Sequence, residues 1–550
     1  MKEDTMSIEN RPIEKKYDLV IVGGGVTGAG VFHAAVQRGL CPLLVEANDF
    51  AWGTSSRSSK MVHGGLRYLK EGKFLLTRSA VRERQRLLSV YPGLVDPLNF
   101  IMPLYNSHGP SMGAMKFGLS LYSLMAGEKQ HEIFSRAQIL GQVPKVCQAG
   151  LLSGVGFKDA QVDDARLVLR LIFDGCDQGG HARNYTRATA IERNARGNVA
   201  GVHLKDADTG HSRLVETPVV INATGAFAET LHPSPVKGFH IRPLRGSHLI
   251  FPGELYPMDR VISFIHPQDN RAVFLFPWEG CLFLGTTDVD HKGDVSKEPC
   301  ITMEEAHYLM AGLAHILPDL KVCLDDCIAS IAGVRPILSK KKVAASKESR
   351  EHVVWKDRGL ITVTGGKLTT FRLLARDAMK AAQKYLPRHL KNKSGSGEVL
   401  GASLGLKSGL KKGPKYGGAT KFVPGLGQGR LSPKAILRLW GRYGARVSDM
   451  ADICSGEDFT PIGTTQTLWA ELCHGARHEQ IRHLSDLLLR RVRIGLFLPN
   501  GGMDMMDEIQ ARIRPFLDWD EARWTREKQA YERVWQDAYA PPGRKMKPPK

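Results

Sequence analysis

The chain has 550 residues, 42% apolar and 24% charged, the proportions of a soluble globular protein with two or three domains. Seventy-six Lys and Arg against 56 Asp and Glu leave a net charge of +20, which points to an anionic partner: nucleic acid, anionic lipid or a phosphorylated substrate. No apolar run reaches the ~18 residues that a spanning helix needs, and the charged stretch Met1 to Lys16 has no apolar signal core, so membrane contact is expected to be peripheral.

The chain opens on one βαβ unit. Leu19-Val20-Ile21-Val22 reads as a buried strand, Gly23-Gly24-Gly25-Val26-Thr27-Gly28 as a tight turn, Val26 to Arg38 as a helix stopped by Gly39, and Leu43-Leu44-Val45 as a second strand ending in Glu46. Gly23 permits the turn, Gly25 lets backbone approach a pyrophosphate, and Gly28 lets helix and strand pack closely. The helix N-terminus suits phosphate, and Glu46 can accept from a ribose hydroxyl. The motif alone does not separate FAD from NAD. The nine cysteines form no CxxC pair and no Cys/His metal spacing. They read as reduced, mostly buried thiols of a reducing compartment, and no metal is expected.

A hydroxyl-dense loop follows, Thr54-Ser55-Ser56-Arg57-Ser58-Ser59-Lys60, then His63-Gly64-Gly65-Leu66-Arg67-Tyr68-Leu69. By composition it is a solvated Ser-rich loop or a ligand cradle. TSSxSSK followed by HGGLRYL resembles the FAD-dependent glycerol-3-phosphate dehydrogenases, membrane-associated flavoproteins. The resemblance implies a glutathione-reductase-type, Rossmann-like FAD-binding domain interleaved with a D-amino-acid-oxidase-like α+β substrate domain, and a C-terminal helical cap domain. Further along, Arg245-Gly246-Ser247-His248 is similar to the family's KGSH element, with Arg245 in place of Lys. Gly285 to Asp294 matches GTTDxxxKGD, Gly333 to Pro336 matches GVRP, and Gly365 to Thr370 matches GGKLTT. The acids at 288–294 lack EF-hand spacing, so calcium is rejected. Asp163 and Asp164 open a helix and read as structural, opposing its dipole.

Two stretches stay open. Met112 to Ala126 carries one charge, Lys116, and is either a buried core helix or one lying in a membrane surface. Arg388 to Arg430 is rich in Lys, Gly and Ser and reads as a basic flexible linker, longer than the family's connection. From Leu431 the chain reads as helical. Ser432-Pro433 caps a helix running to about Trp440, and a longer helix is expected over Ile481 to Phe497. Arg490, Arg491 and Arg493 near its end read as solvated capping residues or as a membrane- or partner-facing patch. The tail from Pro541 to Lys550 reads as disordered.

The expected division is therefore 17–387 for the oxidoreductase part, with cofactor segments at about 17–90, 160–245 and 345–387 and substrate segments at about 91–159 and 246–344. A linker at 388–430 and a helical domain at 431–540 follow. The resemblance implies oxidation of sn-glycerol 3-phosphate to glycerone phosphate by hydride transfer to FAD. Electrons would pass to a membrane quinone, from a cytoplasmic protein held peripherally on the inner face of the cytoplasmic membrane. An oxidase that reduces O₂ and an amine or amino-acid oxidase of the same fold are the alternatives. Nucleic-acid binding is not expected, because the Lys-rich linker holds one aromatic, Tyr416, before Phe422. A homodimer is left open.

For the cofactor the expected residues are Gly23, Gly25, Gly28, Glu46, Thr54, Ser55, Ser58, Ser59, Lys60, His63, Gly65, Leu66, Ala188, Gly225, Leu368 and Thr369. A phosphate dianion needs a cationic clamp, for which Arg67, Arg335 and Lys367 are candidates, with Tyr68 beside them. Arg335 could also stabilise charge on the substrate oxygen. Arginine is a poor base, which leaves His248 as the proton acceptor.

Overall fold

The computed structural model describes residues 11–65, 69, 72–106, 109–127, 131–231, 240–339, 352–391, 426 and 431–543. The opening motif folds as its pattern predicts: strand Leu19–Val22, helix Val26–Val36, strand Pro42–Val45. The strands pair in parallel, Leu19 opposite Pro42 and Val22 opposite Val45, an arrangement that needs a crossover between them. They sit within a six-stranded sheet ordered His352–Asp357, Leu360–Gly365, Val220–Asn222, Leu19–Val22, Pro42–Val45, His181–Arg183. Its pairs are parallel except the hairpin of the first two.

The unbroken apolar run 19–22 follows from the layers. Leu19 and Ile21 share a core with the helices Val26–Val36, Asp164–Asp177 and Phe371–Ala382. Val20 and Val22 face the other way, into a core closed by the three-stranded antiparallel sheet of Thr186–Arg193, Val199–Asp206 and Ser212–Glu216. With both faces covered, every position of the strand must be apolar.

A ten-stranded sheet stands beside this unit, ordered Val289–Asp290, His240–Pro252, Cys281–Gly285, Ala272–Trp278, Val261–Ile265, Val95–Tyr105, Leu151–Val162, Met61–Val62. Ala329–Ser339 runs along His240–Pro252, and His131–Ser135 along Leu151–Val162. One core of this sheet is shared with the helix Met303–Ile316. A second is shared with the C-terminal helices, among them Trp469–His478, Met506–Ile513 and Glu521–Ala538. The C-terminal region therefore closes a core begun by the large sheet.

In that region Ser432 caps the helix Pro433–Tyr443, accepting from the Ala435 N–H, with Pro433 in the first turn. The single helix expected over 481–497 is not formed. It breaks into Leu484–Asp486, a π-helical turn Leu487–Arg491 and Ile494–Phe497, with Arg493 left-handed at φ 65°. The break re-aims Arg490 and Arg491 at one carboxylate and Arg493 at another, as described below. Folded chain also continues past 387, through the short helix Arg388–Lys391 and buried Leu390. Apart from Leu426, the rest of the expected linker lies outside the described residues, as does the tail from 544. Four thiols are buried, Cys176, Cys281, Cys327 and Cys473, while Cys41, Cys300 and Cys323 are exposed, so the expectation of mostly buried cysteines is corrected.

The helix Pro433–Tyr443 meets the oxidoreductase part backbone to backbone. A Cβ on Gly441 would lie 2.5 Å from the Gly93 carbonyl carbon, and one on Gly93 2.2 Å from the Leu437 oxygen. Gly441→Ala is expected to push the helix off and destabilise the fold by about 1–3 kcal/mol, read as a lower denaturant midpoint. An unchanged midpoint would mean that the contact tolerates a methyl group.

Candidate functional site

The glycine turn is tight in the way a dinucleotide cradle requires. Gly23 has φ 113°, and a Cβ there would lie 2.6 Å from the Ala223 oxygen. A Cβ on Gly28 would lie 1.8 Å from the Gly23 oxygen. Both positions exclude side chains. Gly25 caps the helix Val26–Val36 without a side-chain bond, so the free N–H groups of the first turn form an anion seat. Ser55 Oγ closes that seat, accepting from the Val26 N–H at 2.9 Å. Glu46 is held at the turn by the N–H groups of Gly24 and Asn48, at 2.7 and 2.9 Å. Burial pushes its pKa up, against the pull of those bonds. The Cβ-free cradle, the anion seat and the fixed acceptor together fit a dinucleotide.

The hydroxyl-dense loop divides between two tasks. Ser59 Oγ lies 2.9 Å from His248 Nε2, on the ligand side with Ser55. The other side chains turn inward. Ser58 donates to Asp164 from both N–H and Oγ, at 2.9 and 2.7 Å, and Thr54 donates to the Val334 carbonyl. The Lys60 ammonium is fully buried, 2.9 Å from Asp164 and 2.7 Å from the Ser56 oxygen. Burial and Arg493 push its pKa down to about 7 against the attraction of Asp164. A cation this deep must pair, and the partner of the Lys60 ammonium is Asp164.

Across from this loop stand His248 and Arg335, on the paired strands His240–Pro252 and Ala329–Ser339. His248 packs its ring on Gly285, where a Cβ would lie 2.2 Å from Cδ2. Its Nδ1 is buried and has no hydrogen-bond partner among the described residues. Burial, then Arg335 and Lys60, push the imidazole pKa well below 6.5, so the ring is neutral. Arg335 donates to Asp288 Oδ1 and to Thr286 Oγ1, each at 2.9 Å, and Asp288 also pairs with Arg271. The GTTD acids thus act as arginine holders. A second carboxylate, Glu305, ties down Arg245, Ser247 and Thr287.

Lys367 precedes the turn Leu368–Thr370, which enters the helix Phe371–Ala382. Thr369 Oγ1 donates to the His63 carbonyl at 3.3 Å and brings this loop against His63 and Gly65, the latter at φ 80°. Gly225 follows the strand Val220–Asn222, its carbonyl accepting from Thr364. Ala188 lies two positions after Thr186, whose N–H donates to the Glu46 carbonyl at 2.7 Å. Leu66, Arg67 and Tyr68 lie outside the described residues.

The basic residues expected at a solvated or membrane-facing helix end are instead buried. Arg490 and Arg491 both pair with Asp49, just past Glu46, and Arg493 donates to Asp164 at 3.1 Å and to the Ser56 oxygen at 2.8 Å. Sequence reasoning passed over Asp49 entirely. The signal available was three arginines within four positions of an otherwise apolar segment, too many unpaired charges for a core.

Residues 18–377 match the family described as FAD dependent oxidoreductase, and residues 381–524 the C-terminal domain of alpha-glycerophosphate oxidase. The chain is 33% identical to Glycerol-3-phosphate dehydrogenase 2 of Mycobacterium bovis, over 94% of its own length and 88% of the relative's. It is 29% identical to the aerobic glycerol-3-phosphate dehydrogenase of Staphylococcus haemolyticus, over 94% and 95%. Among solved structures it resembles the glycerol-3-phosphate dehydrogenase from Bacillus halodurans complexed with FAD, with TM-score 0.76 at 24% identity, covering 98% of this chain and all of that one.

Asp49 gives the site a measurable dependence on acid. Burial works to raise its pKa, but Arg491 and Arg490 outweigh it and hold the group at about 2. A carboxylate depressed on folding contributes stability that is complete above its unfolded pKa of roughly 4 and is lost as pH falls through the folded value. Asp49→Asn, which removes the carboxylate shared by Arg490 and Arg491 and leaves Arg490 only Asp486, is expected to cost about 3–5 kcal/mol at neutral pH. It should also weaken the acid dependence of unfolding between about pH 4 and 2. A variant as stable as the parent would show that the arginines find other partners.

Proposed function

This chain belongs to the glycerol-3-phosphate dehydrogenase family of FAD dependent oxidoreductases, and on that premise we propose that it oxidises sn-glycerol 3-phosphate to glycerone phosphate and passes the electrons to a membrane quinone. FAD is its cofactor, and the residues that would hold it are Gly23, Gly25, Gly28, Ser55 and Glu46. When bound, FAD supplies the hydride acceptor. The observation that carries the reading is the pairing of a neutral buried imidazole with an anchored arginine beside the cradle.

Each residue then has a definite task. With the Nε2 proton donated to Ser59 Oγ, His248 Nδ1 carries the lone pair and can take the proton of a secondary alcohol. Its low pKa makes it a weak base in the free enzyme. A phosphate dianion brought close would stabilise the imidazolium and raise that pKa, so proton acceptance would be linked to substrate binding. Arg335, fixed by Asp288 and Thr286, would face the substrate with a pre-aligned guanidinium and oppose negative charge on the reacting oxygen. Lys367, with Arg67, would complete the clamp on phosphate.

The acceptor is supported by a surface feature. Among the described residues no helix is long and apolar enough to cross a membrane. Yet the helix Met112–Ala126 buries only one face, through Leu119, Tyr122, Ser123 and Ala126. Phe117 and Leu124 stand 74% and 78% exposed, and Leu75, on the neighbouring helix Phe74–Val90, 79%. Apolar side chains this exposed on adjacent helices suit insertion into the lipid surface, helped by the excess of basic residues. The kinship of residues 381–524 with an oxidase domain favours O₂ as the alternative acceptor. Anaerobic reduction by substrate, followed by mixing with quinone or with O₂, separates the two.

Two outcomes are expected. His248→Asn should slow flavin reduction by glycerol 3-phosphate by ~10²–10⁴-fold with FAD still bound, and a rate near the parent's would remove His248 from the reaction. Leu124→Asp should lower vesicle binding and quinone turnover while leaving flavin reduction by substrate nearly unchanged. Unchanged quinone turnover would place the membrane contact elsewhere.

A further inference from the structure

A cluster outside the flavin site has the composition of a metal centre. His474 and His478 lie four residues apart on the helix Trp469–His478 and so share a face. Asp449, on the adjacent helix Val447–Ile453, meets them. One imidazole nitrogen from each histidine and one carboxylate oxygen lie within 4.8 Å of one another. His474 is fully buried, yet among the described residues neither ring nitrogen has a hydrogen-bond partner, and His478 Nε2 has none either. The nearest carboxylate to His474, Glu479, stands 3.8 Å from Nε2, beyond hydrogen-bond reach. Both its oxygens are engaged by Arg166.

Buried imidazole nitrogens without partners are costly. Each neutral ring has one lone pair, so the two histidines bring two lone pairs beside one carboxylate oxygen. We propose that Asp449, His474 and His478 bind a zinc ion in the C-terminal helical domain, with water in the fourth position. Two imidazoles and one carboxylate suit zinc, whereas magnesium and calcium take oxygen ligands. Closing onto the ion draws the three atoms to the ~3.3 Å spacing set by tetrahedral bonds of about 2 Å. The surrounding charge is compatible. Arg446, Arg166 and Arg477 are the near cations; Arg446 is held by Asp177 at 2.7 Å and lies over the Phe173 ring, Arg166 is held by Glu479, and Asp177 and Asp452 add negative charge beside Asp449. The expectation of no metal came from cysteine spacing and passed over the His-x₃-His pair.

The ion would tie the two helices together just before Glu479, whose bidentate pair with Arg166 docks this domain on the helix Asp164–Asp177. It would act on the stability of docking and take no part in the oxidation. The test uses the FAD-loaded full chain, stripped with chelator and dialysed against buffered Zn²⁺, with Mg²⁺ as control. Metal and flavin are then counted per chain. One zinc per chain is expected for the parent, with a higher thermal midpoint in Zn²⁺ than in Mg²⁺. His478→Gln and Asp449→Asn should each weaken zinc binding by at least ~10²-fold, more than a residue that only orients a ligand would, and remove the midpoint shift. Flavin content reports folding. Should His478→Gln lose its flavin, the half-buried Asp449→Asn decides alone. Zinc content in the parent no greater than in the folded variants, including none in either, overturns the proposal.

Discussion

The structure depends on one buried electrostatic contact, the carboxylate of Asp49 between the guanidinium groups of Arg490 and Arg491. Around it lie further pairs joining the same two regions: Asp163 with Arg442, Asp164 with Arg493, and Arg166 with Glu479. Each is almost wholly out of water. Desolvation cancels most of the attraction in such pairs, so they add little net stability over an apolar core of the same volume. What they add is position. A C-terminal domain docked in another register would leave several charges buried and unpaired, at about 3–5 kcal/mol each, and no apolar contact would offset that.

The same pairs shape the site. Ser56 offers its carbonyl to both Lys60 and Arg493, and Asp164 takes Ser58, Lys60 and Arg493 together. The hydroxyl-dense loop is thus held from below by the C-terminal domain, which leaves Ser55 at the helix N-terminus and Ser59 at His248. Burial, then Arg335 and Lys60, keep that imidazole neutral. A helical domain that contributes none of the expected ligand residues therefore fixes where the ligand residues stand.

How much of this was legible in the sequence follows from range. The βαβ unit and the cap at Ser432 rest on local rules, and each formed where its pattern placed it. The family motifs brought His248, Arg335, Ser59 and Thr369 into view because their spacing is carried along the chain. The roles of Lys60, Asp49 and Arg490 were not legible, since each is defined by a partner more than a hundred positions away. A basic helix end is solvated by default, and only the fold reveals that 481–497 breaks to bury it. Asp288 was seen as a candidate metal ligand and rejected, but its actual partner, Arg335, lies on another strand.

The face with exposed apolar residues is joined to the site by a similar contact. Tyr122, on the buried side of the helix Met112–Ala126, donates to Asp159 Oδ1 at 2.6 Å and accepts from the Gly64 N–H at 3.0 Å. Arg84 pairs with the same aspartate at 2.7 Å. A Cβ on Gly64 would lie 2.2 Å from the Tyr122 oxygen, so helix and loop touch with no room between them. Gly64 stands between His63, whose carbonyl accepts from Thr369, and Gly65, which has a positive φ. Phe117 and Leu124 project to solvent from a helix whose other face grips the ligand loop. Were that apolar face to enter lipid, the insertion would act on an element already fixed to the site, and the distance between membrane surface and flavin loop would be set by the Tyr122 contact rather than by a flexible tether.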